Sequence, residues 1–123
     1  MSFELERKPE YTLITIKGEK LDSSIAPALK SELVLLNADG VKFIVLDLHK
    51  VRYCDSSGLS AILVANRLCK NALGYFVITG LQDAVKKLIT ISQLDAILNI
   101  AETRQLGLDR VSEQLKKAWF LNF

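Results

Sequence analysis

A single histidine, two cysteines and two prolines in 123 residues are scarcities that each remove a class of protein from consideration. His49 is the sole imidazole, and the stretch Ser57-Gly58-Leu59-Ser60-Ala61 does not form the Gly-x-Ser-x-Gly elbow. A Ser/His/Asp hydrolase therefore lacks its nucleophile turn and has only one residue that could serve as its base. Cys54 and Cys69 lack the paired spacing of a zinc site and are read as reduced thiols of the core, so no metal is expected. Neither Gly-x-x-x-x-Gly-Lys-Ser/Thr nor Gly-x-Gly-x-x-Gly occurs, so no dedicated nucleotide loop and no cofactor are expected either. Neither sign of charge prevails: 16 Lys and Arg against 14 Asp and Glu leave a net charge of +2, too little to make nucleic acid the expected partner. No segment approaches the ~18 consecutive apolar residues of a membrane span. The start Met1-Ser2-Phe3-Glu4 has no signal-peptide pattern, and a cytoplasmic protein without membrane insertion is expected.

What is present is the composition of a folded domain. With 50% hydrophobic and 24% charged residues, a chain of this length builds one core, and residues 1–123 are read as a single domain. Phe3-Glu4-Leu5-Glu6-Arg7 and Tyr11-Thr12-Leu13-Ile14-Thr15-Ile16-Lys17 alternate in polarity around the turn signal Pro9-Glu10, which predicts an antiparallel hairpin. Leu21-Asp22-Ser23-Ser24 leads into a first helix through Ala26, Leu29, Leu33 and Leu36, with Asp22, Ser23 or Ser24 as the expected cap and Gly40 as the exit. Val41 to Leu48 and Tyr75 to Thr79 read as interior strands. Gln82-Asp83 opens a third helix with Val85, Leu88 and Ile89 on one face, and Ile97-Leu98-Asn99-Ile100 is the expected last strand. Residues 105–123 are read as a C-terminal helix, with Leu108, Val111, Leu115 and Ala118 on one stripe, followed by an apolar tail. The predicted fold class is α/β, a mixed sheet of about five strands with about four helices packed on it, since strands separated by helices run parallel.

The chain is organised around Cys54-Asp55-Ser56-Ser57-Gly58-Leu59-Ser60. An apolar strand precedes it and a helical pattern through Leu59, Ile62, Leu63 and Asn66 follows, so Asp-Ser-Ser-Gly falls at a strand-to-helix turn. Two hydroxyls and a carboxylate then stand at the positive end of a helix dipole, a place suited to receiving a phosphate. The triplet Asp-Ser-Ser also occurs at Asp22 to Ser24, and the preference of these residue types for helix starts accounts for the repeat. A phosphoaspartate receiver would want an acidic pair after its first strand, where this chain has Lys17-Gly18-Glu19-Lys20. What remains is reversible phosphorylation of the central hydroxyls by another protein, a switch on binding because new charge beside Asp55 opposes a docked partner while the helix end tolerates it. Helix capping alone accounts for the same residues.

The stretch Ile44-Val45-Leu46-Asp47-Leu48, followed by Val51, Tyr53 and Asp55-Ser56-Ser57-Gly58-Leu59, resembles the central signature of the STAS domains, which include the bacterial anti-sigma factor antagonists. The resemblance extends to Gly18-Glu19-Lys20-Leu21-Asp22 with Ala26-Pro27, to Gly74 through Thr79 and to Leu94-Asp95-Ala96-Ile97-Leu98. It implies a non-enzymatic anti-sigma factor antagonist. In such a protein Ser56 would be phosphorylated by a partner serine/threonine kinase that doubles as an anti-sigma factor, and a serine phosphatase would reset it. It further implies a docking surface of Asp22, Ser23, Asp55, Ser57, Gly58 and Ser60. The alternative within the same family is a constitutive subunit of a membrane lipid-transport ABC ATPase. The resemblance fades over the last residues, where Trp119, Phe120 and Phe123 either fold back on the domain or form a homodimer patch.

Overall fold

A computed structural model describes residues 2–121. Strands β1 (Phe3–Arg7) and β2 (Thr12–Ile16) form the expected antiparallel hairpin, with Phe3 opposite Ile16 and Arg7 opposite Thr12. The Lys8 amide closes the turn by donating to the Tyr11 carbonyl at 2.9 Å. From there the chain continues through β3 (Lys20–Leu21), α1 (Ala26–Ala38), β4 (Phe43–Asp47), β5 (Tyr53–Cys54), α2 (Ser56–Asn71), β6 (Tyr75–Thr79), α3 (Asp83–Ile91), β7 (Asn99–Ala101) and α4 (Arg104–Leu121). The main sheet has the order β1-β2-β4-β6-β7, parallel at every pairing after the hairpin.

Every residue of β4 is buried because β4 lies in the middle of this sheet, with layers on both faces. Successive side chains of a strand point to opposite faces. Ile44 and Leu46 therefore join Ile14, Ile16, Phe76 and Ile78 under Leu29, Leu33 and Leu36 of α1, Ala61, Ile62 and Ala65 of α2, and Val85 and Ile89 of α3. Phe43 and Val45 join Leu13, Val77 and Ala101 on the other face, under Val111 of α4. Each fully buried Val, Leu or Ile contributes about 1.5–3 kcal/mol against the chain entropy, so the two cores together hold the layers in place.

Three features depart from the sequence expectation. First, β3 and β5 form a separate parallel two-stranded sheet, too short to leave an alternating pattern in the sequence. Second, none of Asp22, Ser23 and Ser24 caps α1 with its side chain; the N-cap is Ile25, which is buried, and Pro27 in the first turn needs no amide partner. Third, the last strand begins at Asn99, because Leu94–Ala96 forms a 3-10 turn that consumes the preceding residues.

Candidate functional site

The β3/β5 pair brings together what the sequence held far apart. Leu21 stands opposite Cys54 in parallel register, so the turns that begin at Asp22 and at Asp55 leave the small sheet from adjacent strands. The Asp55 amide donates to the Leu21 carbonyl at 3.4 Å, and this bond extends the ladder one step toward the turn. Asp55 is the N-cap of α2: its extended backbone (φ −106°, ψ −172°) lets its Oδ1 accept from the Gly58 amide at 3.0 Å. Gly58 is buried because the first turn of α2 presses on β3, and a Cβ there would collide with the Leu21 carbonyl and lie 2.7 Å from Cys54 Sγ.

Ser56 is the first residue of the 16-residue helix α2 and is exposed. Ser57 and Ser60 are half-buried on the same turn; Ser23 is exposed and Asp22 half-buried in the neighbouring one. The predicted site residues Asp22, Ser23, Asp55, Ser56, Ser57, Gly58 and Ser60 thus fall on two adjoining turns, with Gly58 serving as the packing point beneath them.

The electrostatics follow from these contacts. Asp22 accepts from the Ser24 hydroxyl and from the Ser24 amide at 3.0 Å, and these bonds, the hydroxyl's first, hold its carboxyl below the usual value. Burial pushes the Cys54 thiol up to about 11, with the carboxylates of Asp55 and Asp22 adding to the effect. Cys54 therefore stays protonated and serves as packing beneath the site. His49 stands just past the carboxyl end of β4, where its Nδ1 lies 2.9 Å from Asp47 Oδ2 and its carbonyl accepts from Gln82 Nε2 at 2.7 Å. Among the described residues no group of His, Cys, Asp and Glu is arranged to hold a metal ion, and no helix is long and apolar enough to cross a membrane. The arrangement displays a hydroxyl and carboxylates to a visitor.

Sequence reasoning missed a polar cluster at the carboxyl end of β4. Asp47 is buried, and its Oδ2 accepts from Arg104 Nε at 2.9 Å and Nη2 at 2.7 Å while Oδ1 accepts from Thr79 Oγ1 at 3.3 Å. An aspartate inside an otherwise apolar strand was the available signal. At the far end of α4, Trp119 and Phe120 meet edge to face with centroids 5.7 Å apart, yet are 61% and 71% exposed, so they do not fold into the core. They line a surface cavity of about 730 Å³ with Tyr11 and Phe43; the expectation for Phe123 lies outside the described residues.

A mixed five-stranded sheet with helices on both faces and an exposed serine beside a capping aspartate defines a class, and the sequence profile of the STAS domain matches residues 2–107. The chain belongs to the STAS domain family. Among its relatives is the anti-sigma-B factor antagonist of Listeria monocytogenes serovar 1/2a, 30% identical over 95 residues that cover 77% of this chain and 82% of that protein. The fold is shared with a serine-to-glutamate variant of RsbS from Moorella thermoacetica (TM-score 0.79, 23% identity, 94% of this chain and 99% of that one). It is shared also with the Bacillus cell fate determinant SpoIIAA in its phosphorylated form (TM-score 0.71, 22% identity, 89% of this chain and 98% of that one).

Proposed function

We propose that this protein is a cytoplasmic anti-sigma factor antagonist that binds an anti-sigma factor serine/threonine kinase and is switched off by phosphorylation at Ser56. The observation that carries the reading is the exposed Ser56 hydroxyl at the start of α2, flanked by the carboxylates of Asp55 and, across the β3/β5 register, Asp22. The name of the Listeria relative and the phosphorylated state of the SpoIIAA neighbour support it. The protein itself performs no chemistry: the partner supplies the phosphoryl group and a serine phosphatase removes it.

The physics separates folding from binding. A phosphoserine carries about −1.5 to −2 charge, and the helix dipole favours it at Ser56 by roughly 0.3–1 kcal/mol, so the domain keeps its structure. A partner seated on Asp22, Ser23, Asp55, Ser57 and Ser60 meets that charge beside two carboxylates and must leave it desolvated. Trp119 and Phe120, exposed at the other end of the molecule, are assigned to contact with a second copy of the chain.

The test uses the cognate kinase with ATP. Ser56→Ala keeps the complex and takes up no phosphate at position 56, whereas Ser56→Asp weakens binding at least tenfold, about 1.4 kcal/mol, with an unchanged melting curve. Equal binding by both variants refutes the switch.

A further inference from the structure

We infer that the groove between the hairpin turn and the end of α4 binds an amphiphilic anion, a long-chain fatty carboxylate whose chain lies on the second core and whose head meets lysines at the rim. The inference does not rest on the phosphorylation switch at Ser56.

The first observation is a core left partly uncovered. Phe43, Val45 and Val111 are buried in the second core, yet Tyr11, Leu115 and Ala118, which pack against it, are only half-buried. With Phe43 they form the apolar floor of the cavity of about 730 Å³, while Trp119 and Phe120 line it and stay largely exposed. That volume lies within the range of about 300–1,000 Å³ typical of small-molecule sites, which are mostly apolar with a few placed polar groups.

The second is the sign of the rim. Lys8 on the hairpin turn, Lys42 just before β4 and Lys116 on α4 line the same cavity, and all three are exposed. None of them makes an ion pair among the described residues. Of the two carboxylates on the lining, Asp39 is already held by Arg7 Nη2 at 2.8 Å, which leaves Glu10 against three ammonium groups.

The third is what the lining cannot read. Besides the charged groups its polar side chains are those of Tyr11, Ser112 and Trp119, a poor set for recognising a sugar or a base. An acidic peptide would bring backbone amides that this floor leaves unpaired. A fatty carboxylate brings neither difficulty. Each methylene buried on the floor tightens binding about fourfold. The carboxylate stays in water beside the lysines, where exposed ion pairs select the sign of the head more than they add affinity.

Trp119 is the sole tryptophan and lies on the lining, so its emission reports occupancy. The full chain is titrated with decanoate, dodecanoate and tetradecanoate below their micelle concentrations, with dodecyltrimethylammonium, and with phosphatidylglycerol vesicles. A saturable blue shift with one carboxylate per chain, a Kd that falls roughly tenfold for every two methylenes, and a raised Tm are expected. Dodecyltrimethylammonium should bind about fivefold or more weakly than dodecanoate, and Lys8→Gln combined with Lys116→Gln should narrow that preference with an unchanged melting curve. No saturable shift, or equal binding of the two head groups, overturns the inference. A Tm lowered by dodecanoate marks the shift as detergent unfolding and overturns it too. Emission that responds to the vesicles but not to monomeric dodecanoate assigns the groove to a membrane surface. A shift with protein concentration alone assigns it to a second copy, and binding seen only after removal of Asn122 and Phe123 assigns it to the chain's own end; each of these three results also overturns the inference.

Discussion

Gly58 carries the closest approach in the site, and its role is steric. A methyl group there meets the Leu21 carbonyl and Cys54 Sγ, and the carbonyl is backbone of β3 that cannot swing aside. Gly58→Ala therefore forces α2 away from β3 at an overpacking cost of about 1–3 kcal/mol, and moves Ser56 relative to Asp22. The expected result is a Tm lowered by several degrees together with reduced phosphate uptake at Ser56; a full-rate substrate with the wild-type melting curve would show that the two turns need not touch. The thiols make a prediction of opposite character, about the unfolded chain. Burial holds Cys54 at about 11 and Cys69 at about 12 against the ordinary 9.0, so the folded state keeps both protons when the unfolded state releases them. With folded values raised, this contribution is complete below pH 9.0 and is lost as pH climbs toward 11 and 12. Melts between pH 8 and 11 should fall less steeply for Cys69→Ala than for the wild type, and parallel slopes would refute the assignment.

At the scale of elements, what was legible in the sequence is what repeats. The hairpin, the interior strands β4 and β6 and the helical stripe of α3 all carry periodic apolar residues, and all were found where the pattern put them. The β3/β5 ladder was not legible, because two residues per strand cannot show a period and the partners lie far apart in the chain. The site was therefore readable as two separate Asp-Ser-Ser turns but not as one surface. The Arg104 contact to Asp47 was hidden for the same reason: it joins residues 57 positions apart. That contact anchors the start of α4, whose Gly107 lies close against Thr79 and whose Val111 enters the second core. Arg104→Ala removes two charge-assisted hydrogen bonds from a buried carboxylate that retains Thr79 and His49 as donors. Stability should drop by about 1–3 kcal/mol, with amide exchange in α4 accelerating more than in α2. Uniform acceleration across both helices would show that α4 is not anchored separately.

Across the whole molecule, the family match and the ordered contacts end at different places. The STAS profile stops at residue 107, while α4 continues to Leu121, and past Ala118 its aromatic side chains turn largely to solvent. An element that buries little contributes little to the cooperative unit, yet exposed aromatic rings in contact with each other are poorly placed in water unless another surface covers them. Truncation after Ala118 separates the two roles. The shortened chain should keep its Tm to within about 2 °C, corresponding to well under 1 kcal/mol, and should still exchange phosphate at Ser56. In sedimentation velocity the full chain should show a concentration-dependent shift toward a dimer that the truncated chain lacks. A Tm fall of more than about 5 °C, more than 1 kcal/mol on the same scale, would instead place the aromatic end among the contacts that hold α4 to the sheet.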